Sequence, residues 1–244
     1  MQIGIISLFP EIFSALDYGV IGRAIDEQKV VLHYFNPRDY STDKHQRVDD
    51  RPYGGGAGMV MQVQPIQAAI TCAKACLPTA PVIYLTPQGR VLQQDTVQLL
   101  SKQPSLIFLN GRYEGVDERL IAAEVDVECS IGDYVLSGGE FANLVLIDAI
   151  TRCLPGVLGH ADSAVNDSFT GDRLDYPHYT RPAIINGMPV PAVLTSGDHQ
   201  AIARWRLKQA LGRTWQRRPE LLSKQSLSFE ERLLLDEFID ECEE

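Results

Sequence analysis

The 244-residue chain has few of the features that mark a secreted, membrane-spanning or metal-holding protein. Its five cysteines are Cys72, Cys76, Cys129, Cys153 and Cys242. The number is odd and no CxxC pair or Cys/His ladder occurs, so all five are read as reduced thiols and no metal site is expected. No apolar run approaches the roughly 20 residues that cross a bilayer. Met1 to Ile6 carries neither a basic leader nor a cleavage site, so the expectation is a cytoplasmic chain without a signal peptide. Positive charge is in deficit, with 22 Lys and Arg against 32 Asp and Glu and a formal net charge of −10. That counts mildly against a nucleic-acid partner, because phosphate contacts need cations. The common nucleotide motifs are missing too. There is no GxGxxG after a strand and no GxxxxGK[ST]. The Gly54-Gly55-Gly56-Ala57-Gly58 run has neither the spacing nor the lysine, so an ATP or dinucleotide site loses its support. What remains, 45% hydrophobic and 22% charged residues, is an ordinary globular composition with apolar mass for a core. The length suggests one or two domains.

Residues 2–8 form an apolar run ending at Phe9-Pro10, and helical patterns follow around 10–17 and 21–28. Val30 to Phe35 predicts a strand closed by Asn36-Pro37, and residues 38–58 are polar and glycine-rich. A helix is predicted over 65–76, with Pro65 in its first turn and Cys72 and Cys76 on one face. Strands are expected at 81–85, 105–109 and 125–131, and helices at 93–102, 117–124 and 139–153, the last stopped by Pro155-Gly156. Apolar strands alternating with helices imply parallel β-α units in an α/β fold. Central parallel strands are buried on both faces and therefore read as continuous apolar runs, as these do.

Residues 155–197 show no sustained period and carry Pro155, Pro177, Pro182, Pro189 and Pro191, the pattern of a lid or linker. The chain turns helical again from Asp198, and a domain boundary is expected near 160–175. The helical tail divides by charge. Arg204 to Lys224 holds seven basic residues (Arg204, Arg206, Lys208, Arg213, Arg217, Arg218 and Lys224) and one acid, with Trp205 and Trp215 interleaved. Ser228 to Glu244 holds eight acids and one base, Arg232. Two solvated helix faces would explain this. So would a basic stretch that touches phosphates, with Arg204, Lys208 and Arg217 as its candidates.

Three glycine-bearing segments sit at the carboxyl ends of predicted strands: Leu85 to Arg90, Asn110 to Gly115, and Ile131 to Glu140. Ligands of open parallel sheets bind at those ends, and glycine lets a backbone approach a ligand closely. Together they suggest a small-molecule pocket read largely by main-chain groups. Ser137-Gly138-Gly139-Glu140 also fits a capping box, with Ser137 as N-cap. In the helix that follows, Phe141, Val145, Asp148 and Arg152 share a face. Asp148 and Arg152 have the spacing of an intrahelical pair, while Arg152 also stands where a guanidinium could reach a cleft. Asp167, by composition, is a turn residue of the long loop.

These segments together closely resemble the bacterial tRNA (guanine-N1)-methyltransferase family. The match runs colinearly through Ser7-Leu8-Phe9-Pro10-Glu11, Asn36-Pro37-Arg38-Asp39, Val48-Asp49-Asp50-Arg51-Pro52-Tyr53-Gly54-Gly55-Gly56 and Gln64-Pro65. It continues through Pro87-Gln88-Gly89-Arg90, Gly111-Arg112-Tyr113-Glu114-Gly115 and Ser130-Ile131-Gly132-Asp133-Tyr134-Val135-Leu136. It ends with Pro155 to Gly159, Pro177-His178-Tyr179-Thr180-Arg181-Pro182 and Arg204 to Lys208, and is weakest at the acidic C-terminus. One departure is visible: Ala142 stands where members of the family often carry proline.

The resemblance implies a parallel sheet with a deep trefoil knot, of the kind called SPOUT, which general topology rules would have rejected. It implies a knotted S-adenosylmethionine-binding domain at 1–160, a linker or lid at 161–175 and a helical tRNA-binding domain at 176–244. The implied donor site comprises Tyr84, Leu85, Thr86 and Pro87; Gly111, Tyr113 and Glu114; Ser130, Ile131, Gly132, Asp133, Tyr134, Val135 and Leu136; and Gly138 and Gly139. The implied reaction methylates N1 of guanosine 37, just 3′ of the anticodon, in tRNAs with guanosine at position 36. Asp167 is then the general base and Arg152 the partner of O6, with Asp167 carried on a loop that closes on tRNA. Asn166 joins them as a reader of the base edge. Tyr113 and His178 either stack on it or pack internally. A homodimer with a shared active site and a magnesium requirement are implied as well. The rival expectations are a knotted methyltransferase acting on another RNA and an RNA-binding protein without catalysis.

Overall fold

The computed structural model describes residues 1–159, 167–169, 171–223 and 226–243. It divides into two compact units, Met1–Gly159 and His160–Glu244.

The first unit is built on five strands: β1 (Gln2–Ile6), β2 (Val31–Phe35), β5 (Val82–Val91), β6 (Ser105–Asn110) and β7 (Val127–Ser130). They lie in the order β2-β1-β6-β5-β7, and every pairing is parallel. Between them come a 3₁₀ helix (Pro10–Asp17) and the helices α1 (Gly19–Asp26), α2 (Val63–Cys76), α3 (Gln94–Ser101), α4 (Glu118–Glu124) and α5 (Gly139–Arg152). The period of two along the strands sorts the core into two layers. Ile3, Ile5, Ile83, Leu106 and Phe108 face the 3₁₀ helix, α1, α3 and α5. Ile6, Val82, Tyr84, Ile107 and Leu109 face α2 and α4. β6 is buried at all six positions, as a central parallel strand with helices on both faces must be.

Two departures from the sequence expectation reshape the region around the cleft. β5 does not stop at Leu85. Its pairing with β7 slips between Leu85 and Arg90 and resumes at Arg90–Cys129 and Val91–Ser130. The glycine-bearing segment after Leu85 is therefore a bulge inside a strand, not a terminal loop; such bulges re-aim the chain beside functional sites. Second, the glycine-rich segment carries a short antiparallel ladder of β3 (Asp49–Asp50) and β4 (Val60–Met61). β4 then braces the loop after β6, through Met61 N–H to the Gly115 carbonyl at 3.0 Å and Glu114 N–H to the Met59 carbonyl at 2.8 Å.

The second unit contains a two-stranded hairpin, β8 (Ile184–Ile185) and β9 (Met188–Pro189), then α6 (His199–Arg217), α7 (Pro219–Leu222) and α8 (Phe229–Glu243). The hairpin turns on Asn186-Gly187, both at positive φ, a strong local hairpin signal that lay within a stretch read as unstructured. Asp198 caps α6, accepting the Gln200 and Ala201 amides at 3.0 Å. α6 packs on α8 closely enough that a Cβ at Gly212 would collide with the Phe238 ring.

Candidate active site

β6 and β7 end beside the bulge of β5, and there the first unit opens a cavity of about 330 Å³. Its wall is assembled from three segments. Tyr84, Leu85, Thr86 and Pro87 come from β5; Gly111, Tyr113 and Glu114 from the loop after β6; Ser130, Ile131, Gly132, Tyr134, Val135, Leu136, Gly138 and Gly139 from the turn between β7 and α5. All of these were expected from the sequence. Asp133 was expected as well and does not line the wall, whereas Ala142 does.

The loops are tied to one another. The Gly139 amide donates to the Gly111 carbonyl at 2.9 Å, and Arg112 donates to the Ser137 carbonyl at 3.1 Å. Tyr113 is held in the left-handed region at φ 59, a conformation that costs a non-glycine residue about 1–3 kcal/mol and is tolerated where its surroundings impose it. Gly58 lies against the side chain of Glu114 so closely that a Cβ there would meet the Glu114 carboxylate at 2.2 Å.

The capping box expected at Ser137 does not form. The N-cap of α5 is Gly138, and no side chain caps it. Glu140 turns inward instead and is wholly buried. It accepts the Ser7 hydroxyl at 2.8 Å and faces Arg112 Nε at 2.9 Å. Those two charges are close, but they are not aligned as a hydrogen bond. Arg112 also lies over the Phe9 ring, 4.6 Å from its centre. A Cβ at Gly138 would sit 2.4 Å from Arg112 Nε, so only glycine leaves the pair its space. Ser7 and Glu140 thus buttress the cavity from behind. The S-x-x-E spacing marked Glu140 in the sequence but pointed to the wrong partner.

The cavity wall is acidic. Glu114, Glu118 and Glu128 line it against one cation, Arg112, whose charge faces Glu140. Burial pushes the Tyr84 phenol above its ordinary pKa, with the Val116 amide pulling partly the other way. Three aromatic rings, exposed main chain and a surplus of carboxylates suit a flat ring attached to a cationic centre. S-adenosylmethionine, an adenine nucleoside bearing a sulfonium, fits that description.

Arg152 is the last residue of α5 and is partly buried. Phe141, Val145 and Asp148 on the same face are exposed. Asp167 belongs to the second unit, where it lines a separate cavity of about 520 Å³ with Arg173, Tyr176, Arg206 and others. Asn166 and Lys224 fall outside the described residues, as do 161–166 and 170 of the expected linker. Arg204 and Lys208, expected to touch phosphate, form ion pairs with Glu237 and Glu241 of α8. Arg217 is exposed at the end of α6. Arg206, another cation of the basic stretch, lines the cavity of Asp167, and nothing in its spacing sets it apart from the neighbouring cations. Among the described residues no group of three or more His, Cys, Asp or Glu side chains is placed to hold a metal. No described helix is long and apolar enough to cross a membrane.

A parallel α/β unit with a loop-built, acid-lined cleft, followed by a helical unit, is the plan of a nucleoside-ligand enzyme with an appended module. Comparison with known proteins narrows this. Residues 1–224 match the family described as tRNA (Guanine-1)-methyltransferase TrmD. A tRNA (guanine-N(1)-)-methyltransferase of Coxiella burnetii (strain Dugway 5J108-111) is 62% identical over 240 residues, covering 98% of each chain. One from Marinomonas sp. (strain MWYL1) is 59% identical over 245 residues, covering all of this chain and 98% of its own. One from Nitrosococcus oceani is 58% identical over 243 residues, covering 99% and 96%. The chain belongs to the tRNA (guanine-N1)-methyltransferase family, whose members are S-adenosylmethionine-dependent enzymes.

Proposed function

We propose that this protein transfers a methyl group from S-adenosylmethionine to N1 of guanosine 37 in tRNAs that carry guanosine at position 36. The observation that carries the reading is the acid-lined cavity assembled from three loops in a chain of this family. S-adenosylmethionine supplies an electrophilic methyl on a sulfonium. Glu114, Glu118 and Glu128 favour a cation in the cavity by simple Coulomb attraction. Tyr84, Leu85, Thr86 and Pro87 hold it from β5, with Gly111, Tyr113 and Glu114 beside them. Ser130, Ile131, Gly132, Tyr134, Val135 and Leu136, with Gly138, Gly139 and Ala142, close the remaining side.

Guanine N1 carries a proton and becomes a nucleophile only when that proton leaves. Asp167 accepts it as general base. The negative charge that remains spreads onto O6, where the Arg152 guanidinium meets it; arginine stays protonated throughout and presents two donors. A guanosine inside a stacked anticodon loop must first be unstacked to reach these groups. The linker around Asp167 closes when tRNA is present and shields the donor from water.

The chain threads a trefoil knot through the three cavity loops, and two copies form a dimer that shares the active site. The exposed apolar groups on and before α5 support a dimer: Val135 is 90% exposed, and Phe141 and Val145 about half. Large apolar side chains left exposed in this way suit an association surface. The second unit holds tRNA, with Arg217 on phosphate and Arg204 and Lys208 exchanging Glu237 and Glu241 for phosphates. The reaction takes place in the cytoplasm, and magnesium supports it. Labelled S-adenosylmethionine incubated with an unmodified leucine tRNA carrying guanosines 36 and 37 tests the reading. Label at N1 of position 37, and none in an adenosine-37 variant, is expected. Label elsewhere, or none with donor bound, overturns it.

A further inference from the structure

The second unit holds two cavities that share a wall. One contains Asp167. The other, about 580 Å³, is bordered by Tyr176, His178, Tyr179, Arg181 and Arg206 over an aliphatic floor of Val190, Leu194 and Ile202. Tyr176 and Arg206 belong to both. The Arg206 guanidinium lies over the Tyr176 ring, 4.9 Å from its centre. Tyr176 meets the His178 ring at 4.7 Å, and Tyr179 leans on Trp205 at 6.3 Å. Asp175, which lines the neighbouring cavity, is engaged by His178 Nε2 at 2.8 Å.

We propose that this second cavity is a nucleotide subsite that takes the base and phosphate next to the target guanosine. The inference rests on the function proposed above and extends it. Aromatic faces accept any nucleobase by stacking, and a guanidinium binds a phosphate through two parallel hydrogen bonds. Tyr179 is half exposed and Arg181 exposed, so neither is consumed by packing. The partition between the cavities is a single stacked pair of side chains, which suits consecutive nucleotides of one strand. Arg206, over the Tyr176 ring, lines both cavities and positions the chain as it passes from one to the other. Such a subsite ties methylation to the nucleotide beside the target, and it leaves the donor cavity of the first unit untouched.

The test is a double-mutant cycle on the full-length protein with tRNAs that are intact, abasic at position 36 or abasic at position 38. Binding is read by fluorescence anisotropy and methyl transfer in parallel. In the wild type, one of the two abasic tRNAs should bind about 5- to 150-fold more weakly, the effect of one lost stacked base. Tyr179→Ala should weaken intact tRNA similarly and add nothing with that abasic tRNA, while Tyr179→Phe restores binding. Arg181→Ala should reduce the slope of log affinity against log salt by about one. Donor affinity should be unchanged throughout. Multiplicative losses, or intact tRNA bound normally by Tyr179→Ala, would overturn the subsite. Coupled binding with label absent from guanosine 37 would sink the proposed reaction and leave the subsite standing. A wild type that binds no tRNA would remove both.

Discussion

Glu140 shows how one side chain holds several loops together. Its carboxylate is wholly buried between Ser7 and Arg112, and those residues come from the turn after β1 and the loop after β6. Glu140→Leu leaves the largely buried Arg112 without its counter-charge, a change that typically costs about 3–5 kcal/mol. Urea unfolding should show that loss, with donor affinity falling as the loops separate. Asp167 makes the opposite kind of prediction. It lines a cavity in the other unit, so Asp167→Asn should lower single-turnover methyl transfer by about 10²–10⁴-fold, the usual contribution of a general base. Calorimetry should find donor affinity unchanged; a parallel fall in both would reassign the residue. Asn143 is wholly buried in α5, and among the described residues neither of its amide atoms has a hydrogen-bond partner. Asn143→Ala should therefore cost little or even stabilise, because an unsatisfied buried amide carries a penalty of about 1–3 kcal/mol.

Two segments with the same S-x-x-E spacing end differently. At Ser228 the capping box forms. The Glu231 amide reaches Ser228 Oγ at 3.2 Å, and the Ser228 amide donates to Glu231 Oε2 at 2.9 Å. At Ser137 it does not, because Ser7 and Arg112 draw Glu140 into the core. Local spacing is enough where the helix start is exposed, and tertiary partners override it where the start is buried. Ser228→Ala should cost about 0.5–2 kcal/mol, seen as faster amide exchange in α8. The Ser228 amide, with the nearby Arg173, holds the Glu231 carboxyl below its ordinary value of 4.5. A depressed carboxylate contributes stability that is complete above the unfolded-state value and is lost as pH falls through the folded one. The stability difference between wild type and Glu231→Gln should therefore be constant near neutrality and shrink as the pH drops below about 4.5. β5 makes the same point for strands. Its apolar half, Val82 to Leu85, was legible, but the resumption of pairing at Arg90 and Val91 was not, because a bulge is decided by the neighbouring strand.

At the scale of the molecule, charge is distributed rather than balanced. α6 is basic and α8 acidic, and the two pack together. The net charge of −10 thus hides a helix whose cations partly neutralise a neighbour. Arg217→Ala should flatten the salt dependence of tRNA binding by about one in slope. Arg204→Ala and Lys208→Ala should change it less, since each cation must leave Glu237 or Glu241 to reach a phosphate, and the uncovered carboxylate takes up a counterion that offsets part of the release. Binding isotherms from low to moderate salt check both.

The sequence by itself determined the alternation of strands and helices, the burial of β1, β5 and β6, and the glycine-bearing segments that line the cavity. These follow from apolar periodicity and from turn chemistry, which act over a few residues. The family was legible too, through motifs spread along the whole chain. Only the tertiary structure decided that Glu140 faces inward, that β5 bulges, that Glu114 lies on Gly58, and that Arg204 and Lys208 are paired with α8. Each depends on which distant segment arrives next to a residue. Spacing along the chain carries no record of that, and close packing with charge pairing settles it.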